Sequence, residues 1–170
     1  MGKNKYRFKG HESFILREGW LNKGLYEVDR NPKVFSENYG ADALGVGPNM
    51  AKAIRYWLRA AELVTDSPKT GVMLTAIGQL ILAHDPCVED YFTLWLIHCK
   101  IAKNRELATA WNLFFNEVSY EEFKKQQLYD EMETLLSDLD DREFDTLKSK
   151  KVPQSLEIGL FFCQIFIFII

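Results

Sequence analysis

The chain has 170 residues, 47% of them hydrophobic and 14% aromatic, enough apolar surface for one folded domain with a small annex and too much for wholesale disorder or a low-complexity repeat. Its formal charge of -3 excludes a uniformly basic, histone-like polyanion binder. That average hides opposed halves: residues 1–60 carry 11 Lys/Arg against 6 Asp/Glu, residues 61–116 carry 4 against 6, and residues 117–170 carry 6 against 12. A polyanion or acidic partner is therefore expected at the N-terminal end. Cys87, Cys99 and Cys163 make no disulfide framework and no apolar run near Met1 reads as a signal peptide, so a cytoplasmic protein is expected.

In chain order, Ile15, Trp20, Leu21, Leu25 and Val28 recur near a helical period and predict a first helix over 13–28. Asn31 is placed to cap, and Pro32 to open, a second helix running toward Leu44. Gly45, Val46 and Gly47 make a tight turn, and Pro48 opens a third helix that reads to about Leu63. On a helical wheel Met50, Ile54, Trp57 and Ala61 share one side, with Lys52, Tyr56 and Arg59 opposite them and Asn49 and Arg55 flanking. One side can seat the helix while the other enters a major groove.

Leu63, Val64 and Thr65 then have strand character, 66–71 has turn chemistry, and Val72 to Thr75 returns as a second strand. Lys69 and Thr70 fall at the tip of that hairpin, and Thr75 is also the expected N-cap of a helix over 76–83. Three helices, a hairpin and a helix are the order of a winged helix-turn-helix. Plain helical patterns follow over 88–102, with a stripe of Phe92, Trp95, Leu96 and Cys99, and over 107–118; Ser119 with Glu122 reads as a capping box opening another. The expected fold is mainly α: a winged helix-turn-helix with a small β-hairpin wing over 8–84 and a helical annex over 85–136. A charged linker and short hydrophobic tail over 137–170 read as the start of a second domain. The tail, Ile158 to Ile170, falls short of the roughly 20 apolar residues that span a bilayer. It reads as a chain end lacking its packing partner, with membrane association as the alternative.

Three chemical readings compete with a binding role. His11, Glu12 and Ser13 set a base beside a hydroxyl, but neighbouring side chains in an extended segment diverge, so His11 is expected to bond to backbone and Glu12 or Ser13 to cap the first helix. The 44–50 run Leu-Gly-Val-Gly-Pro-Asn-Met lacks the Lys-Ser/Thr ending of a nucleotide loop, although the amides opening the third helix can meet a phosphate. His84, Cys87, His98 and Cys99 are metal-capable, but His98 and Cys99 diverge on a helix, so no metal and no cofactor is expected.

Several motifs occur together in order: Gly10 to Phe14 with Arg17 and Trp20-Leu21, the 44–50 run with Ile54 to Trp57, Leu74-Thr75 with Gly78, Asp85-Pro86 with Glu89-Asp90 and Thr93 to Leu96, and Phe114 to Glu117. In these the chain resembles the bacterial domain of unknown function 4007 family over about 8–125. The resemblance implies a winged-helix protein that accompanies sulfur-transfer proteins in DNA-modification or defence clusters of the phosphorothioation kind, and implies no enzymatic activity. The chain departs from the family in carrying Pro48 where members have Lys, and members continue past this length.

The function expected from these readings is a non-enzymatic, DNA-binding accessory or regulatory protein of such a system. Lys52, Arg55, Arg59 and Lys69 would contact phosphate or base edges of double-stranded DNA, with Asn49, Tyr56 and Thr70 as hydrogen-bonding groups. The rival is a protein–protein adaptor in the same kind of complex. A third reading, a metal-dependent enzyme using His84, Cys87 and His98, predicts stoichiometric zinc.

Overall fold

Apolar residues at Trp20, Leu21, Leu25 and Val28 line one side of α1 (Trp20–Arg30), and all four are buried. In the computed structural model, residues 7, 10–12, 14–119 and 124–137 are described. The chain divides into two compact units, Gly10–Ile101 and, among the described residues, Arg7 with 102–119 and 124–137. The first unit includes most of α5, which lies past the 84/85 boundary drawn from the sequence.

The first unit is mainly helical, with a two-stranded antiparallel hairpin, and is a winged helix. After α1 come 3-10 turns at Val34–Ser36 and Asn38–Gly40, α2 (Ala41–Leu44), α3 (Pro48–Ala60), β1 (Val64–Ser67), β2 (Gly71–Leu74), α4 (Ala76–His84) and α5 (Tyr91–Lys103). α1 packs on α3 around Leu25, Val28, Ile54, Leu58 and Leu63, each at most 1% exposed.

Several boundaries differ from expectation, each for a local reason. α1 begins at Trp20, not at 13: Gly19 before it sits at φ +79, and Glu12 lies in a turn at φ +51, so Glu12 does not cap the helix; Ser13 lies outside the described residues. A continuous second helix from Pro32 is interrupted because Asn38, Tyr39 and Gly40 all have positive φ, which no right-handed helix accommodates. Asn31 bonds locally instead, its Oδ1 accepting from the Lys33 N–H at 3.0 Å.

α3 stops at Ala60 through paired bonds from the Glu62 N–H to the Arg59 carbonyl and from the Leu63 N–H to the Leu58 carbonyl, with Glu62 at φ +56. This is a Schellman closure in which glutamate takes the place glycine usually fills. The hairpin registers Val64 opposite Leu74 and Asp66 opposite Val72, so Asp66 belongs to a strand and not to the turn. The wing is also tied to the loop after α1, where the Val72 N–H donates to the Pro32 carbonyl at 2.8 Å. Thr75 caps α4 as its sequence predicts: its Oγ1 accepts from the Gly78 N–H at 3.1 Å.

α5 reverses the expected stripe. Tyr91 and Phe92 are 69% and 75% exposed and Trp95 and Cys99 face outward, whereas Thr93, Ile97, His98 and Ile101 are buried. The second unit holds α6 (Thr109–Glu117) and α7 (Lys125–Ser137), with Trp111, Leu113, Leu128 and Met132 buried. Asn112 and Asn116 Nδ2 both donate to the Ala102 carbonyl, at 2.7 and 2.8 Å, and satisfy that acceptor next to the turn into α6. Ser119 is not helical, Glu122 of the expected capping box lies outside the described residues, and so does the 138–170 linker and tail.

Among the described residues, Asp85 and His98 make stability depend on pH. Burial alone would raise the Asp85 carboxyl, but the Glu89 and Asp90 amides, the Thr93 hydroxyl and the Val88 amide together hold it below its ordinary value. Burial pushes His98 below its ordinary 6.5. A depressed histidine stabilises fully above its unfolded pKa, and this contribution is lost as protons bind the unfolded chain in preference. The depressed carboxylate loses its contribution at lower pH, as Asp85 protonates in the fold. Denaturant midpoints of the wild type are therefore expected to fall on acidification from about pH 6.5, and to fall less over that range in His98→Gln.

Candidate nucleic-acid interface

α3 and the wing are joined along the basic edge of the helix, and Asp66 makes the joint. Arg55 Nη2 donates to Asp66 Oδ1 at 2.8 Å, and Arg59 Nε forms an ion pair with Asp66 Oδ2 at 3.0 Å. The three side chains are 35–38% exposed, so solvent reaches the cluster and the pairs order it more than they stabilise it. Arg55 also lies 5.6 Å from the centroid of the buried Phe35 ring, a cation–π contact that flattens the guanidinium against the body of the domain.

The N-terminal turn of α3 is dressed differently. No side chain caps it at Gly47, Pro48 occupies its first turn, and no acidic residue lies there. Asn49 is exposed and its Oδ1 accepts from Lys52 Nζ at 3.3 Å; the same ammonium sits 4.4 Å from the centroid of the Tyr39 ring. A positive helix end beside an ammonium held on an aromatic face suits an anion. At the wing tip Lys69 and Thr70 are exposed, with the Thr70 N–H donating to Ser67 Oγ at 3.3 Å and its hydroxyl to Met73 Sδ at 3.0 Å.

Six of the seven residues expected to contact DNA thus lie on exposed or half-buried parts of α3 and the wing. Tyr56 does not. It is 7% exposed, its ring meeting Trp57 edge-on at 5.0 Å and His11 at 5.7 Å. The wheel places it opposite the apolar side, but His11 and Phe14 lie against α3 there and turn that side into interior. Periodicity within one helix cannot register such a cover. The contributions of Asp66, Tyr39 and Phe35 were also missed; the sequence signal for Asp66 was its strand register, obscured by Ser-Pro just after it.

The charge of the domain also differs from its apparent bias. Gly10–Ile101 holds nine Lys/Arg against eleven Asp/Glu, because Lys3, Lys5, Arg7 and Lys9 supply the N-terminal excess. Net charge therefore gives this unit no general attraction for a polyanion, and any such attraction has to be local. Of the metal-capable residues, Cys87 and Cys99 are exposed and His98 is buried. Among the described residues no three His, Cys, Asp or Glu side chains converge as a metal site, and no helix is long and apolar enough to cross a membrane.

Comparison with solved structures finds the same architecture. A structure described as magnesium ion-bound SspB is 30% identical with a TM-score of 0.65, covering 77% of this chain and 42% of that one. Another SspB structure is 25% identical with a TM-score of 0.68, covering 90% of this chain and 48% of that one. The chain spans less than half the length of both. No curated protein matches it. The model of the family described as Protein of unknown function (DUF4007) matches residues 8–152, and over that span the chain belongs to the DUF4007 family.

Proposed function

We propose that the protein is a DNA-binding accessory protein of a bacterial DNA-modification or defence system, acting by binding and not by catalysis. The observation that carries this reading is the wing lying along the basic edge of α3, where Asp66 joins β1 to Arg55 and Arg59. In this reading α3 enters the major groove of a duplex, with Asn49, Lys52, Arg55 and Arg59 toward the DNA and Lys69 and Thr70 on the flanking backbone. The association with sulfur-transfer proteins rests on the resemblance alone.

The charge-reversing pair Lys52→Glu and Lys69→Glu tests the placement, because both side chains reach solvent and neither is in the core. Duplex affinity measured by fluorescence anisotropy across a salt series is expected to fall, with the slope of log K against log salt flattened by about two. An unchanged slope with an unchanged melting temperature would remove α3 and the wing from the interface.

A second reading, the adaptor, is favoured by the outward-facing Tyr91, Phe92 and Trp95 on α5, aromatic surface of the kind that anchors protein interfaces. It predicts co-purification that survives nuclease and high salt, together with no retention on DNA at physiological salt.

A further inference from the structure

A carboxylate on a face that meets phosphate repels the ligand, so affinity alone gives no reason for Asp66 to stand between Arg55 and Arg59. What the carboxylate does supply is order. Each of its oxygens meets a different guanidinium, one accepting from Arg55 at 2.8 Å and the other in an ion pair with Arg59 at 3.0 Å, and Arg55 is further held on Phe35. Two long side chains that would otherwise sample many rotamers are fixed before any ligand arrives.

The bonding leaves donors in place. Arg59 is held through Nε, so the pair of terminal amino groups is not consumed. Arg55 is held through Nη2, which leaves Nη1 and the second Nη2 hydrogen, given five N–H donors on each guanidinium. Paired N–H groups at that spacing match the O6 and N7 acceptors of guanine in the major groove, the commonest base-specific contact of arginine. The two residues are four apart on α3, about 6 Å along the axis, which spans roughly two base-pair steps of 3.4 Å.

Resting on the DNA-binding reading above, we propose that Asp66 is a specificity-determining positioning residue, whose carboxylate presents Arg55 and Arg59 to two nearby guanines of a duplex. Asp66 itself touches no base. Because it also cancels positive charge, its removal moves two measurable properties in opposite directions. Asp66→Asn strengthens binding to duplex in general while weakening the choice among sequences.

The experiment selects duplexes from a random pool with the wild-type chain, then compares the enriched duplex with one in which its guanines are replaced by adenine. The wild type is expected to enrich two guanines that are adjacent or next but one. Asp66→Asn is expected to bind the unselected pool more tightly, with a salt slope steeper by up to about one, and to lose about tenfold or more of the preference for the guanine duplex. Arg59→Lys keeps its charge but not its planar fork, so it should hold low-salt affinity while losing the preference at one guanine. This second variant decides the matter should Asp66→Asn fail to fold. Absence of guanine enrichment, or a preference untouched in a folded Asp66→Asn and in Arg59→Lys, overturns the role of Asp66 while leaving DNA binding intact. A wild-type chain that retains no duplex overturns both.

Discussion

Replacing Gly71 with alanine is expected to destabilise the winged-helix unit by about 3 kcal/mol or more, combining left-handed strain with an overpacked contact. Gly71 opens β2 at φ +97, a conformation that side chains rarely adopt, and an added Cβ would run into the carbonyl of Pro32. That carbonyl cannot retreat without loss, because it accepts the Val72 N–H at 2.8 Å and so fixes the wing to the loop after α1. Backbone pressed against backbone has no rotamer to escape through. A unit of this size should melt roughly 10–20 °C lower for such a change. Gly47→Ala is the control: Gly47 sits at φ -67 with nothing within 4 Å of a built Cβ, so its midpoint is expected to hold or rise slightly. Equal losses at both positions would mean that the wing is not fastened through Pro32.

The winged-helix order was legible in the sequence because its markers are local. Pro48 at the start of α3 and the Thr75 cap act within one turn of chain, and the apolar stripe of α1 needs only its own helix. The stretch from Asn31 to Leu44 was not legible, since nothing in its composition announces that Tyr39 takes a left-handed conformation between Asn38 and Gly40. That local reversal sets the Tyr39 ring beside Lys52. Phe92 and Trp95 failed as core residues for another reason: hydrophobicity records what a side chain gains if covered, and carries no information on whether anything covers it.

For the interface, residue types were readable and their electrical state was not. Lys52, Arg55 and Arg59 share a helix edge by spacing alone, but that two of them answer to one carboxylate depends on strand register eleven residues away from Arg55. The N-terminal charge excess misled in a similar way, since a block average credits to the winged helix four cations that precede it. On the DNA-binding proposal, affinity comes from the placement of a few cations and not from net charge, and Lys52, Lys69 and the two arginines beside Asp66 are expected to carry a share of the salt slope.

His11→Ala is expected to cost about 2–3 kcal/mol, as truncation of a buried ring does. His11 is 7% exposed, stacks nearly parallel on Trp57 at 5.7 Å and meets the edge of Tyr56. The Trp57 indole N–H in turn donates to the Phe14 carbonyl at 3.3 Å, so His11 and Phe14 form a cover that makes one side of α3 interior. A histidine beside a glutamate and a serine invites a catalytic reading, and the two accounts separate cleanly in experiment. As a cover, His11→Ala melts roughly 10–20 °C lower yet, on the DNA-binding proposal, matches the wild type in duplex binding well below its midpoint, and His11→Phe, which keeps a flat ring on Trp57, recovers most of the stability. As a chemical group, His11 would be silent in melting and irreplaceable by phenylalanine. A His11→Phe chain that melts like wild type but has lost duplex binding would move His11 from the interior of the fold to its working surface.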